Sequence, residues 1–244
     1  MMTILVCGAG VMASFVKESI ESSNHKCVGM YDPLGNGNYK DLKEIDNKID
    51  GIIDFSHFSL TEEILNYAIE INSPLVIATT GHTDEQKLKI EEASKRIAIL
   101  KATNTSLGVN IMNQIVSYAT KLLADFDIEL IEKHHNRKID APSGTAVTLL
   151  EVINESFSEK KNFVYGREGN KKREKNEIGV HAIRAGNIVG EHTVIFSSGD
   201  EIIEIKHEAL LRKIFADGAV KAILSLISKP SGLYLMKDIL NINN

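Results

Sequence analysis

The chain has 244 residues, 43% apolar, 25% charged and 6% aromatic, a composition that builds a sizeable core and excludes disorder for its bulk. No run reaches the roughly 18 apolar residues of a membrane span, and MMTILVCGAG lacks the basic and long apolar regions of a secretory signal, so a cytoplasmic protein with no membrane partner is expected. With 28 basic and 33 acidic residues the formal charge is −5, which argues against a nucleic-acid partner.

TILVC (3–7) is an apolar run that ends at a glycine, and residues 10–22 space Val11, Met12, Phe15, Val16 and Ile20 near a helical period. KCVGMYD (26–32) reads as a second strand, followed by the loop signal GNGN (35–38). IDGIIDF (49–55) is a third strand, Thr61 to Ile71 a helix with Thr61 as N-cap, and PLVIATTG (74–81) a fourth strand. Thr83 caps a charged helix, and RIAIL (96–100) is a fifth strand. Strands alternating with helices predict βαβ units and a mostly parallel sheet. Their near-continuous apolar character predicts cover on both faces. Cys7 and Cys27 then lie near opposite ends of neighbouring strands, where no disulfide forms, and the chain has no zinc-type cysteine pair.

After about residue 105 the rhythm changes. A helix is predicted over 107–123, a strand over DIELIEKHHN (127–136), and a helix after PSGT. Residues 156–177 read as a long polar loop, with KKREK (171–175) as a solvated run or, alternatively, an anion-steering patch. Three strands follow over 178–186, 188–198 and 200–209, with hairpin-type breaks at Gly186-Asn187 and Gly199-Asp200. A helix over 215–228 is broken by KPSG (229–232). The fold class is therefore α/β, a Rossmann-type first domain followed by a central α+β domain with a mixed or antiparallel sheet.

Two segments carry chemistry. Gly8, Ala9, Gly10, Val11, Met12 and Ala13 form G-x-G-x-x-A between a strand and a helix. There the glycines allow a tight turn and a close backbone approach to a pyrophosphate, and Ala13 permits helix–strand packing. Asp32 stands close to the position, about 20 residues on, where a carboxylate binds an adenine ribose and repels a 2′-phosphate. This predicts NADH as the preferred cofactor, with NADPH possible. The second segment is EKHHNRKIDAPSGTA (132–146). Pro142 fixes φ at a helix start, and Ser143, Gly144 and Thr145 present N–H groups and hydroxyls as a carboxylate cradle. Lys138 adds a cation, and His134 or His135 can exchange a proton near neutral pH. Adjacent strand histidines point to opposite faces, so at most one shares a face with Glu132, which disfavours a metal site.

The second segment resembles the E-x-H-H-x-x-K-x-D-x-P-S-G-T-A signature of the dihydrodipicolinate reductase (4-hydroxy-tetrahydrodipicolinate reductase) family. Similarity extends through ATTG (78–81), ATNTSLGVN (102–110), RAGNIVGEHTV (184–194), FADGAV (215–220) and GLYLMKDIL (232–240). The resemblance implies a dinucleotide-binding domain of residues 1–105 and 212–244, a substrate-binding and oligomerisation domain of residues 106–211, and a homotetramer. It implies NAD(P)H-dependent reduction of a cyclic dicarboxylate in diaminopimelate and lysine biosynthesis. It makes His134 the proton donor and Lys138 its catalytic partner, with His135, Ser143, Gly144 and Thr145 on the substrate carboxylates. Phe55, Ala78, Thr79, Thr80, Ala102, Thr103, Asn104 and Thr105 join the Gly8–Ala13 loop and Asp32 around the dinucleotide. The chain departs from the family pattern in a shorter phosphate loop, Ala13 for glycine, no arginine beside Met12, Thr105 for phenylalanine and Ala78 for glycine. The competing readings are another two-domain Rossmann dehydrogenase, a non-catalytic NAD-binding redox sensor and, last, a metal hydrolase on His134 and His135.

Overall fold

The computed structural model describes residues 1–239; Leu240, which closes the GLYLMKDIL segment, and the remainder of the tail lie outside them. In chain order the elements are β1 (Thr3–Cys7), α1 (Val11–Ser22), β2 (Lys26–Tyr31), β3 (Gly51–Asp54), α2 (Thr61–Glu70), β4 (Leu75–Ile77), α3 (Asp84–Ser94), β5 (Ala98–Lys101), α4 (Leu107–Leu122), β6 (Asp127–His134), α5 (Gly144–Glu155), β7 (Asn162–Tyr165), β8 (Glu177–Arg184), β9 (Gly190–Ser197), β10 (Ile202–Ala209), α6 (Lys213–Leu226), β11 (Gly232–Tyr234) and α7 (Met236–Ile239). They divide into two compact units, residues 1–107 with the tail from 212, and residues 108–211.

The first unit is built on a parallel sheet in the order β11-β5-β4-β3-β1-β2. Strand alternation feeds two cores. Ile4, Val6, Ile53, Val76 and Leu100 face Val16 and Ile20 of α1 and Ala219, Ile223 and Leu226 of α6. Leu5, Cys7, Ile52, Leu75, Ile77 and Ile99 face Ile64, Leu65 and Ala68 of α2 and Ile90 and Ala93 of α3. Both faces are covered, which is why the strands are apolar throughout. Cys7 pairs in register with Tyr31 and Cys27 with Ile4, and both thiols are free.

Two details differ from the sequence reading. Thr61 is the first residue of α2 and not its cap, because a 3₁₀ turn at Phe58–Leu60 runs directly into the helix. β11 extends the sheet beyond β5, in a stretch after KPSG for which the sequence pattern named no element. Three residues carry too little periodicity to announce such a strand.

The second unit holds a mixed sheet in the order β10-β9-β6-β8-β7. Its core face packs Ile128, Leu130, Ile178, Val180, Val194 and Phe196 against Met112 and Val116 of α4 and Leu149, Leu150 and Ile153 of α5. β9 and β10 form the hairpin expected at Gly199-Asp200. Gly186-Asn187 is not a hairpin turn. β8 is parallel to β6 and β9 is antiparallel to it on its other side, so the connection carries the chain across β6. The polar segment 156–177 contains β7, paired parallel with β8. The KKREK run is likewise not merely solvated. Arg173 binds the carboxylates of Asp127 (2.7 Å) and Glu129 (3.2 Å) and the carbonyl oxygen of Glu177 (2.8 Å).

Candidate active site

The first unit presents a glycine turn at the C-terminal end of its central strands. Gly8 has φ +107°, and a Cβ there would meet the Phe55 carbonyl oxygen at 2.7 Å, so only glycine fits between β1 and the end of β3. Gly10 is the N-cap of α1. Its Cβ position faces open space, and no side chain among the described residues caps the helix. A helix start left without a side-chain cap and facing open space fits an anion held by backbone N–H groups. Ala13 is fully buried under the turn, and a larger residue would open the contact between α1 and the sheet.

A cleft of about 250 Å³ lies within this unit, lined by Met12, Phe55, Ala78, Ala102, Thr103, Asn104 and Thr105 together with Arg212 and Phe215. Those first seven residues therefore converge, and the fit to a dinucleotide rests on this cleft and the glycine turn together. Arg212 and Phe215 were not foreseen. They come from the tail, where nothing in local spacing points to a cleft near residue 100.

Other expected residues of this unit behave differently. Thr79 is buried and turns its hydroxyl inward to the carbonyl of Ser56 (3.3 Å), fastening the loops after β3 and β4, while Thr80 is exposed. Thr105 donates to the Phe215 carbonyl (2.6 Å), so its hydroxyl ties the end of the cleft to α6. Ala9 is half-buried and Val11 exposed at the helix start. Asp32 follows β2, and its carboxylate accepts from the Leu34 N–H (3.1 Å) and Asn36 Nδ2 (2.8 Å), which fixes its orientation.

The second unit assembles a buried polar cluster at the end of β6. Glu132 and His134 share a face, as strand alternation requires, and His134 Nδ1 lies 2.6 Å from Glu132 Oε2. Glu132 is fully buried and also accepts from both terminal nitrogens of Arg184 (2.8 and 2.6 Å) and from the Ser143 N–H (3.2 Å). Burial opposes ionisation of Glu132, yet the hydrogen bonds from His134 and Arg184 draw its carboxyl down to about 2. Ser143 is the N-cap of α5, its Oγ accepting from the Ala146 N–H (3.3 Å) and lying 2.9 Å from His192 Nε2. Burial, and then the neighbouring charge of His134, push the His192 imidazole down to about 3, so it is neutral near pH 7.

Ser143 is thus already committed by both its N–H and its hydroxyl, and it shapes the cradle more than it opens it. Pro142 precedes the N-cap and does not occupy the first helical turn. Gly144 begins α5 with open space around its Cβ position, and Thr145 follows it. Lys138 pairs with Asp140 (2.8 Å), and its charge is felt at His192. His135 falls just past β6, half-buried. The loop holding these residues is fastened to the β8–β9 connection, since the Asn136 N–H donates to the Gly186 carbonyl (3.2 Å) and Arg137 donates to Asn187 Oδ1 (3.0 Å). EKHHNRK and RAGN are therefore neighbours in space. Among the described residues no group of histidine, cysteine, aspartate and glutamate side chains has metal-binding geometry.

The family model of the dihydrodipicolinate reductase N-terminus matches residues 2–105, and that of its C-terminus matches residues 108–240. A 4-hydroxy-tetrahydrodipicolinate reductase of Brachyspira hyodysenteriae is 47% identical over 98% of this chain and 100% of its own. One from Clostridium tetani is 50% identical over 79% of this chain and 76% of its own. In fold, the chain is similar to dipicolinate-bound dihydrodipicolinate reductase from Paenisporosarcina sp. TG-14, with TM-score 0.79, 22% identity and full cover of both chains.

Proposed function

The chain belongs to the dihydrodipicolinate reductase family, and from that premise we propose how its residues divide the work of the reaction. The enzyme is an NAD(P)H-dependent oxidoreductase that reduces 4-hydroxy-tetrahydrodipicolinate in lysine and diaminopimelate biosynthesis. Its substrate is a small dicarboxylate. The pyridine nucleotide, when bound, supplies the hydride. The Gly8–Ala13 turn and the uncapped start of α1 take its pyrophosphate, and the cleft from Met12 to Thr105 takes its remaining length. Asp32, held by Leu34 and Asn36, accepts from the ribose hydroxyls and disfavours a 2′-phosphate, so NADH is preferred.

In the second unit the start of α5 at Gly144 and Thr145, together with Lys138 and His135, binds the two carboxylates. Ser143 holds that helix start in shape. His134 delivers the proton that accompanies reduction, and Lys138 assists it as a fixed cation. The open face of the sheet carries exposed Ile183 and Ile202 beside paired charges, and a homotetramer would cover it. The protein works in the cytoplasm. The observation that carries this reading is the cluster of Glu132, His134, Arg184 and Ser143 around the start of α5.

The test couples the purified protein to the preceding synthase and follows NADH and NADPH oxidation. Faster turnover with NADH is expected. His134→Ala and Lys138→Ala are expected to lose about 10²–10⁴-fold in kcat, the range of one acid–base group, while NADH binding by fluorescence is retained. Wild-type turnover in both variants would overturn the assignment.

A further inference from the structure

We propose that Glu132, clamped by Arg184, is a positioning residue that holds the His134 imidazole with its proton on Nδ1 and leaves Nε2 as the nitrogen that exchanges the reaction's proton. The proposal rests on the reading of His134 as proton donor and adds what sets its tautomer and direction. An ionised carboxylate can only accept, so the ring nitrogen 2.6 Å from Glu132 Oε2 carries a hydrogen. Turning the ring over would set a C–H against a buried anion. Glu132 cannot move to allow this. Arg184 grips both of its oxygens, at 2.8 Å and 2.6 Å, and the Ser143 N–H holds Oε1 at 3.2 Å. A planar, two-pronged guanidinium fixes the carboxylate's plane as well as its place.

The far side of the ring is kept clear by a different residue. A Cβ on Gly190 would lie 3.1 Å from His134 Nε2. The glycine opposite His134 therefore keeps a side chain off the working nitrogen. The other neighbouring imidazole does not compete, because His192 Nε2 is engaged with Ser143 Oγ and its ring meets His134 edge-on with centroids 5.2 Å apart. Arg184 also donates to the Asp140 carbonyl (2.7 Å), so the same clamp steadies the loop that bears Lys138.

The experiment compares Glu132→Gln, Glu132→Asp, Arg184→Lys, His134→Gln and the double variant Glu132→Gln/His134→Gln. It reads kcat, KM, NADH affinity by fluorescence and the His134 ring tautomer by nitrogen-15 NMR. The expected result is a proton on Nδ1 of wild-type His134 and a mixed tautomer in Glu132→Gln. In that variant kcat falls about 10–10²-fold, part of what an acid–base group supplies, with KM and NADH affinity unchanged. Glu132→Gln adds no further loss in the His134→Gln background, because its whole effect passes through the imidazole. Arg184→Lys gives a smaller kcat loss of the same kind, and Glu132→Asp, which keeps the charge, recovers part of the rate. A neutral wild-type His134 that carries its proton on Nε2 instead of Nδ1, or losses that multiply in the double variant, overturns the proposal. If Glu132→Gln does not fold, the wild-type tautomer and Arg184→Lys still decide it. Loss in His134→Gln without loss in Glu132→Gln sinks only the positioning role, whereas no loss in His134→Gln sinks the proton-donor reading itself.

Discussion

His192 is a histidine that folding holds neutral. Burial, reinforced by the charge at His134, lowers its pKa to about 3, whereas an unfolded histidine titrates near 6.5. The unfolded chain takes up the proton first, so stability is full above about pH 6.5 and falls as pH drops toward 3. His192→Gln is expected to flatten the decline of the urea midpoint between pH 6.5 and 5, where few carboxylates titrate. An unchanged slope would show that this histidine is not what the acid side destabilises. Glu132 contributes over a lower window. With its carboxyl drawn down to about 2 by His134 and Arg184 against the opposing effect of burial, its contribution is present above about pH 4.3 and is lost as pH falls toward 2. At this scale the sequence named His134, Lys138 and the PSGT start, and parity on the strand set Glu132 beside His134. Arg184 and His192 were out of reach, because only register brings them across from other strands.

Among elements, α2 and α3 show how a helix start depends on what precedes it. Thr83 caps α3 through a reciprocal pair, its Oγ1 accepting from the Gln86 N–H (3.2 Å) and its own N–H donating to Gln86 Oε1 (2.9 Å). This helix is charged and offers little apolar face, so the cap matters. Thr83→Ala is expected to lower stability by about 1 kcal/mol in urea unfolding. Thr61 looks like the same signal but is buried inside the first turn of α2, with a hydroxyl that finds no partner among the described residues. Thr61→Val is expected to be neutral or to gain up to about 1 kcal/mol, since it removes an unsatisfied buried group. A loss of 1 kcal/mol from Thr61→Val would restore the capping role. β7 and β11 escaped the sequence for the same kind of reason. Each is three or four residues long, and its strand character comes from a neighbour, β8 or β5, and not from its own pattern.

Across the whole molecule, the tail completes the first unit. α6 lies in the core beneath β3, and a Cβ on Gly51 would come within 2.5 Å of Ile223 Cγ1. Gly51→Ala is expected to destabilise by about 1–3 kcal/mol through overpacking, and Ile223→Val in the same chain should recover part of it. Strict additivity of the two changes in urea unfolding would deny the contact across some 170 residues of sequence. Net charge also acts at this scale. At −5 the chain repels a dianionic substrate and a dinucleotide at long range, so the proposed sites must draw them in through local groups such as the helix starts at Gly10 and Gly144 and the cation of Lys138.

The alternation of apolar strands and amphipathic helices and the G-x-G-x-x-A turn were sufficient by themselves to specify the fold class, because period and turn chemistry are local properties of the chain, and the reaction followed from the resemblance of EKHHNRKIDAPSGTA to the family's signature. The tertiary structure decided what depends on register between distant strands. β6 is inserted between β8 and β9, Arg184 closes on Glu132, and Ser143 spends its N–H and hydroxyl inside the cluster. A hydrogen bond needs its partner within about 3 Å, and no spacing along one segment tells which distant residue will stand there.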